Sequence, residues 1–168
     1  MVKVGITGHR GLTAEITEQV SSALNLLLSD YDPEDLLGDQ GTADLVGVTC
    51  LADGADTLFA DHVLAVGGQI EAIIPATKYR AGFPEEHQRD FDRLLTQTHE
   101  VHRLDFTESD SEAHMAASML MLSLVTQLIA VWDGQPSRGY GGTADVVAEA
   151  KRRNIPVHVI WPAGATRP

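Results

Sequence analysis

The sequence predicts an α/β fold, a three-layer α/β/α sandwich around a mostly parallel sheet of five to six strands. Two observations carry this prediction. Short β-branched runs alternate with amphipathic helical stretches along the whole chain, and strands separated by helices imply right-handed crossovers and helices on both sheet faces. The length, 168 residues with 43% hydrophobic and 21% charged, suits one domain over residues 1–168 with a sizeable core.

Residues 2–7 (VKVGIT) read as a buried strand, closed by Gly8. Leu12, Ile16, Val20, Leu24 and Leu27 then share a helix face, with Thr13 as N-cap and Glu15 and Glu18 near the positive dipole end. The acidic, Gly/Pro-punctuated stretch 29–45 reads as a loop, with room for one short helical turn. Residues 46–51 (VGVTCL) form the second strand. The next helix carries Leu58, Phe59, Val63 and Val66 and stops at Gly67-Gly68. Residues 69–74 (QIEAII) are the third strand, halted by Pro75. A helix at about 85–97 turns Phe91, Leu94 and Leu95 inward, and 101–104 (VHRL) gives a short edge strand. The run 113–124 (AHMAASMLMLSL) is apolar nearly all round, which marks a buried or interface helix. Residues 128–132 are a strand, Thr143 to Arg153 a helix capped by Thr143, and 156–161 the last strand.

Composition narrows the partners. Twelve basic against 24 acidic residues give a net charge of −12. Such a field repels nucleic acid and anionic membrane, so neither is expected as a partner. The single cysteine, Cys50, removes an internal disulfide framework and a cysteine-based zinc cluster. The histidines are scattered without metal-ligand spacing, so no metal and no resident cofactor are expected. No run approaches the roughly 18 apolar residues of a membrane span, and the N-terminus lacks a signal-peptide pattern. The cytoplasm is the expected compartment.

Parallel sheets bind ligands at the carboxyl ends of their strands, near the point where strand order reverses. The loops at those ends are Gly8-His9-Arg10-Gly11, Ala52-Asp53-Gly54-Ala55-Asp56, the stretch from Pro75 to Gly82, Asp105 to Ser111, and Asp133 to Thr143. Four of the twelve basic residues, Arg10, Lys78, Arg80 and Arg138, fall in them, and a cation cluster in an acidic chain points to an anionic ligand. Gly139-Tyr140-Gly141-Gly142-Thr143 opens a helix. Its unpaired amides and the dipole suit a phosphate, with Thr143 able to cap the helix and to bond that phosphate; a plain capped turn is the rival reading. It matches neither GxGxxG nor GxxxxGK[ST]. Arg10 can fork onto a phosphate or carboxylate, and His9 is a donor, an acid/base or a packing residue. Asp53 and Asp56 either cap the following helix or accept from a ribose or base. Asp133 orients a sugar hydroxyl, pairs with Arg138 or acts as an acid/base. The candidate binding set is Gly8, His9, Arg10, Asp53, Gly54, Asp56, Pro75, Asp133, Arg138, Gly141, Gly142 and Thr143; the catalytic candidates are Asp133, His9 and Asp53.

Taken in order, VGITGHR, LADGAD, IIPATKYR, IAVWDGQPSRGYGGTADVVAEA and PVHVIWP resemble the SLOG superfamily over almost the full chain. These are Rossmann-like proteins related to the LOG nucleotide phosphoribohydrolases and to DNA-processing protein A, and the likeness is nearest to small bacterial YspA/YpsA-like members. The resemblance implies a Rossmann-like fold and a small-molecule, nucleotide-derived ligand with its phosphate at the glycine-rich helix start. Members either cleave the N-glycosidic bond of nucleoside monophosphates or sense a nucleotide-like signal. The LOG signature PGGxGTxxE, set on Gly142-Thr143, places Arg138 at the Pro, Gly139 and Tyr140 at the first two glycines and Val146 at the catalytic Glu; Asp145 is one residue off register. The preceding helix, around Ser118, carries no Arg or Lys where those enzymes have an Arg. The resemblance thus implies a binding or sensing module, with an N-glycoside hydrolase as the alternative and a nucleic-acid-processing accessory disfavoured by charge. It also implies a homodimer, for which the apolar helix 113–124 is the expected interface.

Overall fold

The computed structural model describes residues 2–29 and 45–168. The loop expected over 29–45 lies outside the described residues except for its two end residues. Elements run β1 (Val2–Gly8), α1 (Ala14–Ser29), β2 (Leu45–Thr49), α2 (Ala55–Ala65), β3 (Gln69–Ala76), a 3-10 turn (Arg80–Gly82), α3 (Glu85–Thr96), β4 (Glu100–Phe106), α4 (Ser111–Leu124), β5 (Gln127–Val131), α5 (Thr143–Arg152) and β6 (Val157–Ile160). The six strands are all parallel, in the order β4-β3-β2-β1-β5-β6. Five helices among the described residues cover the two faces, which makes the three-layer α/β/α, Rossmann-like sandwich the sequence predicts. Among the described residues no helix is long and apolar enough to cross a membrane.

The layers follow from side-chain alternation along the strands. Val4 and Ile6 of β1 and Ile70, Ala72 and Ile74 of β3 face α1, α2 and α3, meeting Val20, Leu24, Phe59, Val63 and Leu94. Val48, Ile73 and Leu128 face the other way, onto Ala117, Met121 and Leu122 of α4 and Val146 and Ala150 of α5. The α1 stripe is Ile16, Val20, Leu24 and Leu28. Leu28 takes the place expected for Leu27, and Leu12 precedes the helix. Thr13 caps α1 as expected, its Oγ1 accepting from the Ile16 amide at 3.3 Å.

Two other expectations are corrected. Pro75 does not halt β3, which continues to Ala76. The pairing with β4 slips between Ile74 and Ala76, so no ladder bond is asked of the missing N–H. The helix placed at 113–124 begins at Ser111, because the Asp110 carboxylate caps it by accepting from the Ala113 amide at 2.9 Å.

β1 lies inside the sheet, and strand order reverses between β1 and β5. The loops after these two strands therefore flank the switch point. Two glycines press the neighbouring turns together there. A Cβ on Gly8 would lie 2.5 Å from the Ala55 Cβ, and one on Gly54, at φ 83°, would lie 2.7 Å from the His9 carbonyl oxygen. Only glycine lets the start of α2 close onto the end of β1 in this way.

Candidate functional site

A cleft of about 440 Å³ opens over the switch point, walled by Gly8, His9 and Arg10, by the 138–143 loop and by Arg167. At its α5 end the structure corrects the capping expectation: Gly142, not Thr143, is the N-cap, and no side chain caps it. Thr143 is the first helical residue and is buried. The Gly142 amide donates to the Gly139 carbonyl at 3.3 Å, and the Asp145 amide to the Ser137 hydroxyl at 3.3 Å and the Gly142 carbonyl at 3.1 Å. The Asp145 carboxylate folds back to accept from the Gly141 amide at 2.9 Å. Among the described residues, the Thr143 and Ala144 amides find no acceptor. These two donors lie at the positive end of the helix dipole, and Thr143 lines the cleft.

The cations divide differently from the sequence expectation. Arg10 lies half-exposed over the Phe83 ring, 5.1 Å from its centroid, with its Nε donating to Asp53 Oδ1 at 2.6 Å. Arg138 Nη1 donates to the Pro168 main-chain oxygen at 2.7 Å. Both reach the same cleft. Lys78 and Arg80 do not. Lys78 pairs with Glu108 at 2.6 Å, and Arg80 lays two nitrogens on Asp92 at 2.6 and 2.7 Å. Their place is taken by Arg167, which the sequence did not single out. Its Nε lies 3.3 Å from Asp133 Oδ2 and its Nη2 donates to the Pro136 carbonyl at 3.4 Å. No local pattern marks Arg167, because it arrives by the chain folding back after β6.

The cleft floor is His9 against Asp133. His9 Nε2 lies 3.2 Å from both the Asp133 amide and Asp133 Oδ1, so it accepts from the amide in one tautomer and donates to the carboxylate in the other. Burial depresses the His9 pKa, against the pull of the Asp133 carboxylate and with help from the Arg167 and Arg138 charges. Trp161 holds the ring edge-on at 5.4 Å. Burial pushes the Asp133 carboxyl up, but the Gln135 amide, His9 and Arg167 outweigh it, so its pKa falls below the usual range. Asp133 thus pairs with Arg167 rather than Arg138.

Neither Asp53 nor Asp56 caps α2, whose N-cap is Gly54 without a side-chain bond. Asp53 grips Arg10 and accepts from the Gly11 amide at 3.2 Å. Asp56 is buried beneath the turn, where its Oδ2 accepts from the Cys50 and Ala52 amides at 3.2 and 3.3 Å; burial lifts its pKa to about 7. Asp56 and Pro75 line a smaller compartment that adjoins the cleft across Gly8 and Arg10. At the opposite, N-terminal strand edge, Glu71, Glu100 and His102 bring ligand-type atoms within 4.8 Å of one another, but Lys3 Nζ already holds Glu71 at 2.6 Å, so the group is a polar brace.

No protein-family model matches the sequence, and no curated protein does. The fold matches solved structures. DNA processing protein A from Streptococcus pneumoniae superposes with a TM-score of 0.65 at 19% identity, covering 98% of this chain and 52% of that one. The chain therefore spans about half the length of that protein. DNA processing protein A from Helicobacter pylori, whose structure is described for its single-stranded DNA binding mode, gives 0.64 at 15%, covering 98% and 68%. The protein designated TM1055 gives 0.51 at 15%, covering 96% and 93%. These likenesses overturn the exclusion of nucleic acid drawn from charge. A net charge is a property of the whole surface, while a nucleic-acid site needs only a local field, and a protein of this fold binds single-stranded DNA. The chain thus shares a Rossmann-like fold with these proteins.

Proposed function

We propose that this chain binds a nucleotide or nucleotide-derived ligand at the C-terminal edge of its sheet, as a binding or sensing module with little or no turnover. The observation that carries the reading is the meeting, at the β1/β5 switch point, of the α5 start at Gly142-Thr143 with Arg10, Arg138 and Arg167 around one cleft. The phosphate sits at the amides, where dipole and N–H groups favour negative charge. Arg138 exchanges the Pro168 oxygen for it, since a phosphate is the stronger acceptor for a guanidinium.

The carboxylates favour binding over hydrolysis. An oxocarbenium-like transition state needs a carboxylate at the sugar. Asp133 is committed to Arg167 and the Gln135 amide, Asp53 to Arg10, and Asp145 to the Gly141 amide. Val146 stands where the LOG signature has its Glu. The free thiol of Cys50 suits a cytoplasmic setting.

Calorimetric titration with AMP, ADP-ribose, NAD and cyclic nucleotides tests the reading. At least one binds, and Arg138→Ala weakens it by about tenfold or more, the scale of a hydrogen bond to a charged group. No binding across the panel overturns the proposal. Incubation with AMP yields no free adenine above the blank. Release that is lost in Asp133→Asn makes the chain a hydrolase instead.

A second reading is single-stranded nucleic acid, favoured by the fold match to the Helicobacter pylori protein. A phosphodiester offers the same amides and guanidinium groups the same chemistry.

A further inference from the structure

The cleft does not end at Gly8. It runs on into a compartment of about 110 Å³ under the ends of β1, β2 and β3, roofed by α4. Thr7, Gly8, Arg10 and His114 border both spaces. The inner walls are Cys50, Pro75, Tyr79, Ser118 and Met121, over buried Asp56.

Two of its hydroxyls stand without a partner among the described residues. Tyr79 is 5% exposed, yet its hydroxyl makes no hydrogen bond to a described residue. Ser118 is half-buried on α4 and its hydroxyl also lacks a partner among the described residues. By contrast Ser22, Ser29 and Ser123 each turn their hydroxyl back onto a carbonyl of their own helix. Neither hydroxyl is sealed away from the space it borders, so both are open to bond a group that enters the compartment. The Tyr79 hydroxyl cannot withdraw to another partner. Its ring is wedged edge-on among Phe83, Phe91 and His114, at centroid distances of 4.7, 6.0 and 5.8 Å. The hydroxyl feels Cys50, Asp56 and Arg10, which puts it beside the compartment's inner wall.

Apart from Asp56, the inner lining is uncharged near neutral pH. Burial raises the pKa of the Tyr79 phenol and of the Cys50 thiol, so both keep their protons near neutral pH. His114, which exchanges a 2.8 Å hydrogen bond with Ser109, is pushed toward its neutral form by burial and by Arg10. Charge is concentrated in the outer cleft; the inner space offers neutral hydroxyls on a mostly apolar bed, with Arg10 at its mouth and Asp56, whose pKa is lifted to about 7, beneath it. That pairing suits a flat heterocycle with polar edges. The space is comparable to the cavities of roughly 150 Å³ that take a benzene ring, so it admits one ring and leaves the remainder in the cleft.

We propose that this compartment is a second subsite that receives the heterocyclic ring of a phosphate-bearing ligand, with the Tyr79 and Ser118 hydroxyls contacting the ring's polar edge. The inference rests on the reading of the outer cleft as a phosphate site, and adds which group the ligand carries and which residues select it. The phosphate is held at the start of α5, the linking sugar passes over Gly8, and the ring enters beneath α4.

The test compares AMP and CMP with ribose 5-phosphate by calorimetry, on the wild-type chain and two variants. Tyr79→Phe removes one oxygen and keeps the ring packing. Ser118→Leu fills the compartment from a half-exposed helix position. The wild type binds at least one nucleotide about tenfold or more tighter than ribose 5-phosphate, a modest gain for burying one ring. Tyr79→Phe lowers that ratio by about two- to tenfold, the scale of one hydrogen bond. Ser118→Leu abolishes the ratio, and neither variant alters ribose 5-phosphate affinity. A wild type that binds ribose 5-phosphate as well as either nucleotide, or variants that keep the full ratio, overturn the subsite and leave the phosphate reading standing. If neither the sugar phosphate nor the nucleotides bind, both fall.

Discussion

Asp56 shows how one carboxyl group can serve a turn rather than a reaction. It lies 8% exposed under the β2–α2 turn and accepts two main-chain amides. Burial dominates those bonds and lifts its pKa from 3.8 to about 7. The folded chain therefore holds a proton that the unfolded chain releases near pH 4. The resulting stabilisation is complete below that pH and is lost as pH rises through about 7. Asp56→Asn keeps a neutral acceptor at every pH. Its stability relative to wild type rises between pH 5 and pH 8, by roughly 1 to 4 kcal/mol, since each tenfold difference in proton affinity is worth about 1.4 kcal/mol. His9, His62 and His114, with lowered pKa values, titrate alike in both proteins and cancel in the difference. Urea denaturation at several pH values measures it; a pH-independent difference means that Asp56 is ionised in the folded chain.

At the scale of elements, α4 carries more apolar surface than the sheet covers. Ala113, Ala117, Met121 and Leu122 face the sheet and are buried. Met115, Met119, Leu120 and Leu124 remain only partly covered, with Arg153 bonded to the Met119 carbonyl at 3.3 Å. If a second copy of the chain covers this face, light scattering reads a particle of about 36 kDa, twice 18.1 kDa. Leu120→Glu then returns it to about 18 kDa. A wild-type particle of 18 kDa removes the dimer. The helices and strands themselves were legible because each carries its own period: Ile16, Val20 and Leu24 mark α1, and Val4 and Ile6 mark β1. What stayed hidden was set by partners distant in the chain. Pro75 reads as a strand end, but a slip in the pairing with β4 makes it harmless. Lys78 and Arg80 read as ligand cations, but Glu108 and Asp92 take them. Arg167 and the Tyr79 hydroxyl enter the site region only through tertiary folding, so no spacing announces either. The glycine-rich opening of α5 was visible, whereas the return of Asp145 onto the Gly141 amide was not.

At the scale of the whole molecule, the fold sets a local field against a global one. The chain carries −12 overall, yet the switch point draws Arg10, Arg138 and Arg167 to one cleft over a helix start. A mononucleotide needs only that cleft. A single strand must also run across the acidic surface around it. The two readings therefore separate by salt. Each phosphate neutralised on a single strand contributes about −0.7 to the slope of log K against log salt. Three arginines allow a slope no steeper than about −2, since 3 × 0.7 ≈ 2. Fluorescence anisotropy with labelled oligo-dT from 20 to 200 mM salt reads that slope directly. If the cleft alone holds the strand, binding is weak, the slope stays near or below that limit, and AMP competes the oligonucleotide away. A steeper slope without competition by AMP places the strand on basic residues outside the cleft, such as Lys151 and Arg152 at the end of α5, and separates any DNA binding from the nucleotide site.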